Sequence, residues 1–137
     1  EYRRQRQMCI RDRYHGYDIR KETVEVAKQT HTDWIFSNQF PISTVSYDMI
    51  LFIGTISYAF DPDILVCKRF YFEEIEKARK HLAKDGSIWI TVRKSGKEQG
   101  TTDTKLMITY TQKELENCFE TKRFLDVFEH EYIIEIR

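Results

Sequence analysis

The hydrophobic pattern centres on the run Met49 to Ile53, in which no polar residue alternates with the apolar ones. A strand that is apolar on both faces belongs inside a sheet covered by helices on both sides. The run therefore predicts an α/β fold with a mostly parallel sheet. Ligands of such sheets bind beyond the carboxyl ends of the strands, so Ile53 to Ile56 are the first candidates for a site.

Two further strands and a helix are predicted ahead of this run. Tyr14 to Asp18 is short, rich in aromatic residues and ends in a carboxylate, which indicates a strand. Val24 and Ala27 fall at helical spacing within a helix predicted over residues 21–30. The residues 34–36 are apolar and predict the second strand.

A longer helix is predicted after the run. Asp61 and Pro62 have the character of an N-cap and a first-turn proline, and the helix would extend to about Lys84. Gly86 would then end it as a glycine cap, before a strand over residues 87–92. The spacing of the apolar residues predicts five buried positions, which are Leu65, Phe72, Ile75, Ala78 and Leu82.

The C-terminal part predicts a short helix and a hairpin. The residues Thr111 to Glu114 match a capping box, and the helix would run to about Glu120 with Cys118 as a core thiol. Two strands over residues 124–129 and 132–136 are separated by a tight turn, so they are expected to pair antiparallel.

Composition limits the function. The chain has 137 residues and a net charge of zero, which suits one domain without electrostatic support for nucleic-acid binding. No apolar run approaches the roughly 20 residues of a membrane span. Cys9, Cys67 and Cys118 are widely spaced, which argues against a disulfide scaffold or a metal site and fits the cytoplasm.

The first 13 residues, EYRRQRQMCIRDR, have neither a helical nor a strand period. They resemble the translated sequencing-adapter read-through found at the ends of metagenomic gene fragments, so we expect a non-native or disordered leader outside the fold. The alternative is a basic arm that binds an acidic partner. Because the segment holds five basic and two acidic residues, the net charge without it is −3, which disfavours nucleic acid further.

Polar side chains follow the first two predicted strands. Asp18 could accept hydrogen bonds from both hydroxyls of a ribose, or it could be a solvated residue that caps the next helix. Asn38 and Gln39 carry amide groups that could contact an adenine edge, or they could simply form a turn.

The order of these segments resembles the class I S-adenosylmethionine-dependent methyltransferases from their second strand onward, over residues 14–137. YHGYDIRKETVEVAKQ resembles the second strand, its ribose-binding acid and the following helix. YDMILFIGTISYAF resembles the fourth strand and the loop beyond it, and LAKDGSIWITV resembles the approach to the fifth strand. The terminal hairpin resembles the reversed last strand of this family.

The resemblance implies S-adenosyl-L-methionine as the cofactor and a set of residues that hold its adenosine. Asp18 would bind the ribose hydroxyls, and Ile19 would pack on the adenine. The turn that contains Asn38 and Gln39 would meet the adenine amino group.

The resemblance also implies the rest of the site. Ile53 and Gly54 would flank the methionine portion, and Tyr58 would face the substrate. The family's amino-methylating branch on nucleic acid has (D/N)PP(Y/F/W) where this chain reads IGTI, so a small-molecule acceptor is expected. Such chemistry requires alignment more than a dedicated nucleophile, and no catalytic residue is assigned.

The glycine-rich first strand of the family has no counterpart in residues 14–137. We therefore expect a partial methyltransferase domain that lacks the first strand and is inactive by itself, with the activity in a full-length parent. Two alternatives stay open, a nucleotide-dependent oxidoreductase and a non-catalytic Rossmann-like binding module. An oxidoreductase sheet would not usually end in an antiparallel hairpin, so the direction of the last strand discriminates.

Overall fold

The computed structural model describes residues 14–40, 46–94 and 107–137 of the chain. They belong to two compact units, which divide between Val45 and Ser46. Each unit has its own sheet. The expected leader at residues 1–13 lies outside the described residues.

The first unit consists of β1 (His15–Tyr17), α1 (Lys21–Thr30) and β2 (Ile35–Ser37). β1 and β2 are parallel, and Tyr17 is level with Ser37 at their carboxyl ends. The predicted bounds of the helix are confirmed, and Val24 is its buried residue.

The second unit contains a four-stranded sheet in the order β3-β4-β6-β5. Its elements are β3 (Tyr47–Phe52), α2 (Ile64–Arg79), β4 (Leu82–Arg93), α3 (Gln112–Cys118), β5 (Thr121–Leu125) and β6 (Glu131–Ile136). β3 is parallel to β4, whereas β6 is antiparallel to both of its neighbours. Three strands therefore share one direction and the last one is reversed, which confirms the predicted mixed sheet and its terminal hairpin.

The core of the second unit lies on one face of this sheet. Ile88, Ile90 and Val92 alternate along β4 and are buried, and Ile134 and Ile136 stand opposite them on β6. α2 packs against β4, and its buried residues are Cys67, Ile75 and Ala78. Removal of these apolar side chains from water is the main stabilising contribution to the unit.

The apolar run of β3 is buried less than predicted. Met49 and Leu51 are 57% and 51% exposed, while Ile50 and Phe52 on the other face are half-buried. Successive side chains of a strand point to opposite faces, so Met49 and Leu51 share one face of β3, and that face is the exposed one.

The start of α2 differs from the prediction. The N-cap is Asp63, whose carboxylate accepts a hydrogen bond from the Leu65 amide at 3.0 Å. Asp61 instead accepts from the Asp63 amide at 2.8 Å and closes a turn, so the helix begins later. Leu65 is 70% exposed rather than buried, and the Cys67 side chain is buried in its place.

The predicted helix end at Gly86 is wrong. α2 ends at Arg79, and Gly86 lies inside β4, where the pairing shifts from Tyr47–Leu82 to Met49–Ser87. A Cβ at Gly86 would lie 2.8 Å from the Tyr47 carbonyl oxygen. Glycine is therefore required by the close approach of the main chain at this irregularity, and not by a helix end.

The hairpin turn is wider than predicted, because β5 ends at Leu125 and β6 begins at Glu131. The Lys94 ammonium group contacts the Asp126 carboxylate and the Phe128 carbonyl oxygen, and it lies 5.0 Å from the Tyr132 ring centroid. The connection therefore wraps around Lys94, which follows β4. A tight turn would leave no room for this side chain.

Gly86→Ala is expected to lower the free energy of unfolding by about 1–3 kcal/mol, because the new methyl group would overlap main-chain atoms that have no room to move. Urea unfolding measures the change. Lys84→Ala, at an exposed position of the same strand, is the control and should change stability by less than about 0.5 kcal/mol. Equal midpoints for the two variants would contradict the tight approach.

Candidate functional site

In the first unit, the predicted adenosine-binding residues lie at one edge of the sheet. Asp18 and Ile19 follow β1, and Asn38 and Gln39 follow β2. The Asp18 amide donates to the Ser37 carbonyl oxygen at 3.3 Å, which extends the pairing of the strands beyond their ends. The structure therefore brings these four residues to neighbouring strand ends, as the sequence predicts for parallel strands.

The Asp18 carboxylate has a defined local environment. Its Oδ1 accepts hydrogen bonds from the Arg20 amide at 2.8 Å and from the Arg20 Nε at 3.4 Å. Arg20 is itself the N-cap of α1 and makes no side-chain cap. The carboxylate thus closes a turn before the helix, and the alternative in which Asp18 caps the helix is not observed.

The turn after β2 is held by a hydroxyl group. The Gln39 amide donates to Ser37 Oγ at 3.0 Å. The Asn38 side chain is half-buried, whereas Gln39 is exposed and Ile19 is 68% exposed. An exposed apolar residue beside two amide side chains suits contact with a planar heterocycle.

In the second unit, the chain turns sharply after β3. Gly54 has a φ of 66°, and a Cβ there would meet no atom within 4 Å. Its amide donates to Thr91 Oγ1 at 2.8 Å. The backbone conformation, and not a lack of space, is therefore what favours glycine at this position. Ile53, directly before it, is 67% exposed.

Ser57 fastens the same loop to the rest of the unit. Its side chain is buried, and its hydroxyl oxygen accepts a hydrogen bond from the Arg93 amide at 3.2 Å. Its carbonyl oxygen accepts from the Ile108 amide at 2.7 Å, and the adjacent Tyr58 forms a bridge with Met107. The loop is thus held between the end of β4 and the segment that precedes α3.

Two tyrosine hydroxyls complete this attachment. The buried Tyr110 hydroxyl donates to the Ile56 carbonyl oxygen at 2.6 Å, and the Tyr71 hydroxyl donates to the Tyr58 carbonyl oxygen at 2.5 Å. Burial raises the pKa of both phenols, with a further contribution from Glu114 at Tyr110. Both groups therefore stay protonated and act as donors.

An ion pair lies beside the buried tyrosine. The Lys68 ammonium is 2.7 Å from the Glu114 carboxylate and 4.7 Å from the centroid of the Tyr110 ring. Thr111 caps α3 as predicted by accepting from the Glu114 amide at 3.1 Å, but the Glu114 side chain binds Lys68.

The predicted core position of Cys118 is wrong, since this residue is exposed. The part of its thiol that is shielded from water still raises the pKa of the group.

Sequence patterns did not reveal the residues that hold the loop. The only sequence feature that pointed to a role for Thr91 was its position near the carboxyl end of a predicted strand. Ser57, Tyr71 and Tyr110 carried none, because each acts on a segment far away in the chain. Residues 14–40, 46–94 and 107–137 contain no cluster of metal-ligating side chains and no helix long and apolar enough to cross a membrane.

Thr91→Val should leave the Gly54 amide without its acceptor, because valine keeps the shape of threonine but has no hydroxyl oxygen. The expected loss of stability is about 1 kcal/mol. Amide hydrogen exchange at Gly54, followed by NMR, reports the bond directly. Thr91→Ser retains the hydroxyl and should retain the protection. Identical exchange rates in the two variants would show that the bond does not hold the turn.

Tyr110→Phe tests the buried hydroxyl through pH. A phenol whose pKa is higher in the folded state stabilises the fold below about pH 10, the unfolded value, and loses this effect as the pH rises further. The variant should be less stable by about 1 kcal/mol at neutral pH, because the Ile56 carbonyl loses its donor. The gap between variant and native protein should then narrow above about pH 10. Unfolding midpoints along the pH series measure it, and a constant gap would contradict the buried donor.

Several solved structures resemble the chain, although the sequence matches no protein-family model and no curated protein. DhpI in complex with S-adenosylhomocysteine has a TM-score of 0.62 at 15% identity, over 92% of this chain and 66% of DhpI. The 1,6-didemethyltoxoflavin-N1-methyltransferase of Burkholderia thailandensis, solved with 1,6-didemethyltoxoflavin and S-adenosylhomocysteine, has a TM-score of 0.60 at 16% identity, over 91% and 60%. The N-methyltransferase NodS of Bradyrhizobium japonicum WM9 has a TM-score of 0.56 at 13% identity, over 99% and 94%.

At these identities the likeness shows the fold alone. The chain spans less than two thirds of the toxoflavin enzyme and of DhpI. The predicted fold class is confirmed: the chain has the Rossmann-like α/β fold of these methyltransferases, with a mostly parallel sheet and a reversed last strand.

Proposed function

We propose that this chain belongs to an S-adenosylmethionine-dependent methyltransferase that acts on a small-molecule acceptor. The observation that carries the proposal is the reversed β6 between β4 and β5, in a fold that the chain shares with methyltransferases. The bound S-adenosylhomocysteine of DhpI and of the toxoflavin enzyme supports the choice of cofactor.

The first unit would hold the adenosine part of the cofactor. Asp18 offers Oδ2 to the ribose hydroxyls, because the turn to Arg20 engages Oδ1. The exposed Ile19 would pack on the adenine, and Asn38 and Gln39 would contact its amino group. The support is the common position of these residues at the carboxyl ends of parallel strands.

The second unit would hold the methionine part and the acceptor. Ile53 and Gly54 would flank the methionine portion, and Tyr58, which is 53% exposed, would face the acceptor. When bound, the cofactor supplies a methyl group activated by a sulfonium. The chain would align the two reactants and exclude water, and the fastened loop suits that role because alignment needs a defined backbone.

The fold argues against one of the two alternative functions and does not distinguish the other from the enzyme. The antiparallel β6 disfavours the nucleotide-dependent oxidoreductase, whose sheet would not usually end in this way. A non-catalytic binding module has the same fold as an enzyme, since a fold does not determine a function. Transfer of a methyl group, and not cofactor binding alone, therefore separates the module from the enzyme.

We further propose that residues 14–137 are a partial methyltransferase domain without the first strand of that family, and that activity requires the full-length gene product. The chain covers 60% of the toxoflavin enzyme and 66% of DhpI, which supports a longer parent, while it covers 94% of NodS. β3 stands at the end of the strand order in its sheet, which suits a sheet that continues beyond this strand, and its exposed Met49 and Leu51 suit a further covering layer.

The full-length gene product is expected to bind S-adenosylhomocysteine, as measured by isothermal titration calorimetry. Asp18→Ala should weaken this binding by about 1–3 kcal/mol, the scale for loss of a charged hydrogen-bond partner. Asp85→Ala, which removes an exposed carboxylate from the second unit, is the control and should leave the affinity unchanged. Absence of binding at millimolar ligand would exclude the enzyme, and an unaffected Asp18→Ala variant would remove Asp18 from the site.

A further inference from the structure

Three aromatic rings form a cluster just beyond the loop that follows β3. The Phe60 and Phe70 ring centroids are 5.2 Å apart at an interplanar angle of 77°. Tyr71 lies 5.8 Å from Phe60 and 5.7 Å from Phe70, again edge to face. We call Phe60, Phe70 and Tyr71 the aromatic cluster. Such edge-to-face packing gives each ring a fixed orientation.

The aromatic cluster is open to solvent, although its three rings pack against one another. Phe60 is 51% exposed and Phe70 is 37% exposed. Tyr71 is half-buried, and its hydroxyl is bound to the Tyr58 carbonyl oxygen. This bond ties the cluster to the main chain of Tyr58, the residue proposed to face the acceptor.

Two carboxylates lie on the Phe60 side of the cluster, while Arg69 directly precedes Phe70 in the chain. Asp61 and Asp63 lie between Phe60 and α2, and their carboxylates accept hydrogen bonds from the amides of Asp63 and Leu65. Among the described residues neither carboxylate forms an ion pair with a basic side chain. On this side of the cluster an anionic ligand would therefore be repelled, whereas a neutral or cationic ring would not.

We propose that the aromatic cluster and Tyr58 form an acceptor subsite for a molecule that has an aromatic ring and no negative charge. The inference rests on the proposed methyl transfer and specifies the class of acceptor. Exposed ring faces bind planar aromatic ligands by offset or edge-to-face contact, which an aliphatic ligand does not make. The fixed rings lower the entropic cost of binding, since no side chain has to be ordered first.

The acceptor carries a hydroxyl or an amine next to its ring. A lone pair of that oxygen or nitrogen forms a bond to the methyl carbon, and the carbon–sulfur bond breaks with its electron pair going to sulfur. The acceptor then loses its proton to water. The products are the methylated acceptor and S-adenosylhomocysteine.

A protein partner is the main competing occupant of the cluster. An interface between proteins is typically a broad apolar patch with a rim of polar residues. Exposed apolar side chains also lie next to the cluster in the chain, at Ile64, Leu65 and Val66, so the extent of the patch does not decide between the two occupants. The rings adjoin the loop after β3, where a ligand site is expected, and this position favours a small molecule.

The test compares β-naphthol with decahydro-β-naphthol, its fully saturated counterpart, as probes of the full-length gene product saturated with S-adenosylhomocysteine. Dissociation constants come from ligand-observed NMR. The native protein should bind the aromatic probe more tightly by about 5-fold, given the usual strength of ring contacts. Phe60→Leu and Phe70→Leu keep an apolar side chain without a ring, and each should weaken β-naphthol binding by about 3- to 10-fold. Leu65→Ala removes a side chain that is 70% exposed on the same helix and is the matched control, with no expected effect.

The outcomes separate the two proposals. If S-adenosylhomocysteine does not bind, the proposed function fails and the subsite fails with it. If it binds but both probes bind equally, or the leucine variants keep the affinity for β-naphthol, the aromatic subsite alone is overturned. Sedimentation velocity adds a third result, since self-association lost in Phe60→Leu with unchanged probe binding would assign the cluster to an interface between copies. The comparison of probes in the native protein needs no variant to fold.

Discussion

The carboxyl end of β4 is the point on which the second unit depends. This strand pairs with β3 on one side and with β6 on the other, and its buried row of apolar residues forms part of the core. The same strand supplies the Thr91 hydroxyl and the Arg93 amide that hold the loop after β3. Because one strand anchors both the core and the loop, the loop has a defined position relative to the sheet.

The loop itself is irregular, and its main-chain groups need partners that a sheet does not provide. The carbonyl oxygens of Ile56, Ser57 and Tyr58 accept from the Tyr110 hydroxyl, the Ile108 amide and the Tyr71 hydroxyl. A buried carbonyl group without a donor would cost about 1–3 kcal/mol. These contacts therefore make the shape of the loop depend on the folding of the whole unit, and they link stability to the geometry of the site.

This attachment explains how a surface can be exposed and ordered at once. Phe60 and Phe70 face solvent, yet they are held by each other, by Tyr71 and by a fastened backbone. The proposed methyl transfer from a sulfonium would require accurate alignment more than acid–base chemistry, and a fixed platform would provide it. Specificity would then come from the rings, whose orientation favours planar ligands.

The sequence by itself determined the type and order of the elements. Helical spacing placed α1 correctly, the cap at Thr111 was recognised, and the spacing of the last two strands predicted their antiparallel pairing. Tertiary structure decided what Gly86 does and which residues hold the loop. The reason is the range of the signals, since periodicity and capping act within a turn or two. Gly54 and Thr91 are 37 residues apart, and only the folded sheet brings such groups into contact.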